Sequence, residues 1–171
     1  MKASASAAVF LCLLLVSGCG GGSEEGSTPT ATSTEQRTSG EQSIEGFGAE
    51  AKGAEKEEML DAYRSYLGAI GEKDYAEACE LLSAPVRDSL AKLSQGKASC
   101  EEALGAILAP SAPSLSKAQA KGEVTKVRVE RETGFVVFKA PGAKLYQLTL
   151  VSEGGEWKAG SLGAAVLVPD L

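Results

Sequence analysis

Met59-Leu60-Asp61-Ala62-Tyr63-Arg64-Ser65-Tyr66-Leu67-Gly68-Ala69-Ile70 is the stretch on which the fold turns. Met59, Tyr63, Tyr66, Leu67 and Ile70 recur at three- and four-residue spacing, with Glu57, Glu58, Asp61 and Arg64 between them, so one stripe is dry and the other side wet. The pattern predicts a helix from Glu55, closed by Gly71 as a C-terminal glycine, with its apolar stripe against a core.

Three shorter helices are expected after it. Asp74 followed by Glu77 has the spacing of a capping box and opens a helix carrying Tyr75, Ala78, Cys79 and Leu82. Pro85 suits a first turn, and Val86, Leu90 and Leu93 supply a buried face until Gly96 breaks the helix. Ser99 with Glu102 is a second capping box, opening a helix through Cys100, Leu104, Ile107 and Leu108 that Pro110 stops. Residues 111–122 read as a loop.

Beyond the loop the period drops from 3.6 to 2. Val127 and Val129 alternate with Lys126, Arg128 and Glu130, the pattern of a strand with one dry face. Glu132-Thr133-Gly134 reads as the turn into Phe135-Val136-Val137-Phe138, which is apolar on both faces and so central. Pro141-Gly142 turns into a strand from Leu145 to Val151 on which Tyr146, Leu148 and Leu150 share a face. Glu153-Gly154-Gly155-Glu156 is a hairpin turn to Trp157–Leu162, and Ala164–Val168 closes the sheet. Such short turns imply an antiparallel meander, and the whole an α+β fold.

The other end of the chain fixes the compartment. Lys2 precedes an apolar run from Ala7 to Val16, the layout of an export signal, and the run is too short to span a bilayer. Val16-Ser17-Gly18-Cys19 resembles the bacterial lipobox, which implies cleavage before Cys19 and a diacylglyceryl group on its sulfur. Two or three acyl chains anchor a protein stably where one is marginal. The expected location is therefore the cell membrane, lipid-anchored on its extracytoplasmic side, with the membrane as a partner through Cys19.

Residues 1–18 are then a signal peptide, 19–50 a tether and 51–171 one domain, a size with room for a core of its own. The tether is Gly, Ser, Thr and Glu with only Ile44 and Phe47 as large apolar residues, too few to offset the entropy of ordering it. Loss of Lys2 leaves 16 basic against 23 acidic residues, a net charge of −7, which argues against nucleic acid as a partner. With Cys12 removed and Cys19 acylated, Cys79 and Cys100 are the remaining thiols. In an oxidising compartment they are expected to form a disulfide, the alternative being two buried free thiols. Two cysteines and no histidine make a poor metal set, and no cofactor motif is present.

The amphipathic helix, then Asp74-Tyr75-Ala76-Glu77-Ala78-Cys79-Glu80-Leu81-Leu82, the later Ser99-Cys100 and the strands ending Gly155-Glu156-Trp157-Lys158 resemble the nuclear transport factor 2-like (NTF2-like) superfamily. In particular, residues 55–165 are similar to its secreted actinobacterial lipoproteins. The resemblance implies a cone in which helices pack into the concave side of a curved sheet, often around a pocket and often dimeric through the sheet. The expected function is non-enzymatic, the binding of a small apolar ligand or an envelope partner protein, with Tyr63, Tyr66, Tyr146 and Trp157 as the candidate pocket. One alternative is an enzyme of the ketosteroid isomerase or polyketide cyclase type, for which Asp61 beside Tyr63 and Tyr66 would be needed, although the helical spacing sets Asp61 off the stripe. The other is a purely structural envelope protein.

Overall fold

The apolar stripe becomes helix α1, Gly53–Glu72, in a computed structural model that describes residues 46–140 and 142–167. The chain divides into two units, residues 1–35 and 36–171, and every described residue belongs to the second. The signal peptide, the lipobox with Cys19, most of the tether, Pro141 and Val168 lie outside the described residues.

Met59, Tyr63, Tyr66, Leu67 and Ile70 are all buried to 1% exposure or less, as the spacing required. After α1 come α2 (Tyr75–Glu80), α3 (Ala84–Leu93) and α4 (Cys100–Ile107). The Ser99 capping box is complete: the Glu102 N–H donates to Ser99 Oγ at 3.2 Å and the Ser99 N–H to Glu102 Oε2 at 2.9 Å. Asp74 makes only the forward half, accepting from the Glu77 N–H at 3.0 Å.

Several expectations change. The helix does not stop at Gly71; Lys73 takes the left-handed position (φ 63°) and closes α1 onto the carbonyls of Ala69 and Ile70. Residues 111–122 are not a loop throughout, since Ala112–Gln119 form a fifth helix, α5. Its buried residues are Pro113, Ser116 and Gln119, which carry no large apolar stripe for periodicity to detect. Gly71 lies at the contact of α1 with α5, where a Cβ would come 2.9 Å from Lys117 Cα. Two residues of the expected buried faces are exposed, Leu93 by 68% and Ile107 by 45%. Spacing predicts which face of a helix turns inward, but not where along its length the neighbour ends.

The sheet is an antiparallel meander of β1 (Ala49–Glu50), β2 (Glu123–Glu130), β3 (Thr133–Ala140), β4 (Lys144–Glu153) and β5 (Glu156–Ala159), with β6 (Ala165–Leu167) also paired to β4. The β4–β5 hairpin turns on Gly154 (φ 63°) and Gly155 (φ 88°), left-handed at both central positions as a two-residue hairpin turn demands. Gly134 is a strand residue opposite Val129, where a side chain would run into Met59, so the β2–β3 turn falls one step earlier than expected. The inner face carries Val127, Val136, Phe138, Leu148, Leu150 and Ala159 against the helices. Phe135 and Val137, alternating with them, point to the outer face.

The two ends of the meander are finished differently. Beside β5 the Ser83 N–H donates to the Ala159 carbonyl at 3.0 Å and the Ala159 N–H to the Leu81 carbonyl at 2.8 Å. At the other edge the sheet takes in Ala49 and Glu50, two residues that the sequence assigns to the tether. The Ala51 N–H adds a bond to the Val127 carbonyl at 3.0 Å. Ahead of them, Phe47 packs edge-on against Phe135 with ring centroids 4.6 Å apart, and Arg128 donates to the carbonyls of Phe47 (2.9 Å) and Gly48 (3.0 Å).

Candidate functional site

Tyr63 and Tyr66 stand one helical turn apart on α1, both without accessible surface. Each hydroxyl is committed to a backbone carbonyl, that of Tyr63 donating to Gln119 and that of Tyr66 to Leu162 at 3.0 Å. These bonds tie α1 to the end of α5 and to the segment after β5. A buried phenol needs such an acceptor, because an unmatched hydroxyl carries its full desolvation cost. Burial also makes both phenols weaker acids: the Tyr63 pKa is pushed up to about 12, with Arg64 pulling the other way, and that of Tyr66 is raised above the ordinary tyrosine value by burial.

Tyr146 is 6% exposed and Trp157 8%. The Tyr63 ring lies 4.8 Å from Phe138, and Phe138 in turn stacks on Tyr146 at 5.8 Å, so an aromatic row fills the space between α1 and the sheet. Of the four candidate pocket residues, three therefore meet around Phe138 or along α1 as core, while Trp157 sits at the inner face of β5. Gln119, which the sequence did not single out, is 2% exposed, and its Nε2 has no hydrogen-bond partner among the described residues.

Asp61 lies on the other side of α1. With Glu58, Ala62, Ser65, Trp157 and Lys158 it lines an open hollow of about 510 Å³ between α1 and β5, where Lys158 pairs with Glu156 at 3.0 Å. The structure does not bring the Asp61 carboxylate to the hydroxyls of Tyr63 and Tyr66, which face the carbonyls of Gln119 and Leu162. Cys79 and Cys100 are joined, with an S–S distance of 2.06 Å and Cα atoms 6.2 Å apart, so α2 is stapled to α4. Among the described residues no group of three or more ligating side chains is placed to hold a metal ion, and no helix is long and apolar enough to cross a membrane.

Compared with protein-family models, with curated proteins and with solved structures, the chain matches none.

Proposed function

We propose that this chain is a lipid-anchored protein on the extracytoplasmic side of the cell membrane, held through Cys19, whose NTF2-like domain works without catalysis by binding a partner protein. The observation that carries the choice of partner over enclosed ligand is the filled interior. Met59, Tyr63, Tyr66, Phe138, Leu148 and Leu150 have no exposed surface, and both tyrosine hydroxyls are already spent on backbone carbonyls. A site for a small apolar molecule needs a concave volume with free polar groups to orient it. The helices on one face of an antiparallel meander, and the Cys79–Cys100 staple suited to an oxidising compartment, support the fold and the location.

Native mass spectrometry of the mature protein extracted from membranes tests this. The expected species carries acyl mass on Cys19 and no other small molecule, alone or with a second protein. A reproducible small mass released on denaturation would replace the partner reading with a ligand carrier. In Cys19→Ser the precursor is expected to remain uncleaved and unacylated; normal processing would remove the anchor.

A further inference from the structure

Trp157 stands where the core meets the open hollow of about 510 Å³ beside α1. Its benzenoid edge is turned inward: Cζ3 lies 3.4 Å from where a Cβ on Gly134 would stand, on β3 across the intervening β4. Nε1 is at the opposite end of the indole from Cζ3, so the N–H is directed away from the core, towards the hollow that the ring lines. The residue is only 8% exposed, yet no acceptor takes this N–H among the described residues. A buried indole N–H ordinarily has one.

The wall beside it is acidic. Glu58 and Asp61 are three residues apart on α1, which places them on one face a turn apart, and Glu156 joins them from the start of β5. The base among the lining residues, Lys158, is engaged by Glu156 at 3.0 Å, and Glu58 and Asp61 have no ion pair among the described residues. Like charges at this spacing repel each other, so the pair works against α1 rather than for it. Ala62 and Leu81, both packed on the core, add an apolar surface to the same hollow.

These parts select a ligand. Among the described residues the carboxylates are not gathered closely enough to share a metal ion, so the complementary charge has to ride on something longer. A lysine or arginine side chain brings an apolar stem for Ala62 and Leu81 and a cationic head for Glu58 and Asp61. A peptide also carries a backbone carbonyl, the acceptor that the Trp157 N–H lacks. With 16 basic against 23 acidic residues, the mature chain draws a basic partner at long range as well.

We infer that the hollow between α1 and β5 receives a basic segment of the partner protein, whose lysine or arginine side chain lies over Ala62 and Leu81 to reach Glu58 and Asp61 while a carbonyl of the segment accepts from Trp157 Nε1. The inference rests on the partner-protein reading and gives it a place and a chemistry.

Trp157 is the chain's single tryptophan, so its indole N–H gives one cross-peak in a nitrogen-correlated NMR spectrum of the mature chain in detergent micelles. The probe is acetyl-Gly-Arg-Gly-amide, and the control is its citrulline counterpart, which keeps the shape and loses the charge. The arginine peptide should move the cross-peak, less so as salt rises. Binding should be at least about tenfold weaker for the citrulline peptide, and for the arginine peptide in Glu58→Gln/Asp61→Asn. Both substituted positions are exposed, so that variant should melt no earlier than the wild type, and Asp61→Asn alone serves if it does. A cross-peak that stays put at millimolar arginine peptide, equal binding of the two peptides, or undiminished binding by the variant each overturns the inference. If a second protein is nonetheless extracted with the chain from membranes, the partner reading stands without this site. Tighter binding of free arginine than of the blocked peptide overturns both, in favour of an amino-acid ligand.

Discussion

Two glycines of α1 look alike in the sequence and differ in what surrounds them. At Gly68 a Cβ would meet nothing within 4 Å, whereas at Gly71 it would meet the Lys117 backbone of α5 at 2.9–3.0 Å. Helix propensity favours alanine over glycine by about 1 kcal/mol at both. Crowding against a backbone that cannot swing away costs about 1–3 kcal/mol and reverses the sign at Gly71. Gly68→Ala should raise the urea midpoint and Gly71→Ala should lower it. The buried tyrosines make a second prediction. Their folded pKa values lie above the unfolded value near 10, so the folded state holds their protons more tightly, and the stability this brings is whole below pH ~10 and lost as pH rises through the folded values. Each group removes up to about 1.4 kcal/mol per pH unit in that window. Denaturant melts should therefore show a fall above pH ~10 that is smaller in Tyr66→Phe, measured against that variant's own stability at neutral pH.

At the scale of elements, periodicity was a good guide wherever an element buries large side chains on one face. The stripe of α1 and the Tyr146, Leu148 and Leu150 face of β4 emerged where spacing put them. It failed where close packing removes the signal: α5 meets α1 through Gly71 and Lys117 and buries Ser116 and Gln119, so neither partner of that contact looks apolar. The same contact explains why Gly71 read as a stop. The disulfide was legible by elimination among four cysteines, whereas the acceptors for the tyrosine hydroxyls were not, since Gln119 and Leu162 contribute only backbone carbonyls. The Cys79–Cys100 link spans 21 residues, and the chain-entropy model gives roughly 3 kcal/mol for a loop of that size. Cys79→Ala/Cys100→Ala should lose stability of that order in chemical denaturation, and an unchanged midpoint would mean that the α2–α4 packing suffices alone.

For the whole molecule, the α+β class and the meander order were both readable in advance, but the start of the sheet was not. Ala49 and Glu50 are too short a run for any period, and Phe47 reads as an isolated aromatic in a polar tether until Phe135 is seen beneath it. A domain cut before Ala51 discards β1, the aromatic pair and two hydrogen bonds from Arg128, together about 1–3 kcal/mol. Chains beginning at residue 51 should unfold at lower urea than chains beginning at residue 46, and coincident curves would show that the Phe47 contact contributes nothing measurable.

The brevity of β1 also has a mechanical side. A pull arriving from the N-terminal direction loads Phe47 and a two-residue strand at the sheet edge before it reaches α1. Short edge pairings peel one bond at a time under load, so slack is paid out there first, as a fuse yields before the circuit. Deeper in, the staple between α2 and α4 keeps the 21-residue span between its cysteines from extending, withholding about 70 Å of contour from any stretched chain. A force trace should therefore open with a small early slip followed by one large, shortened rip.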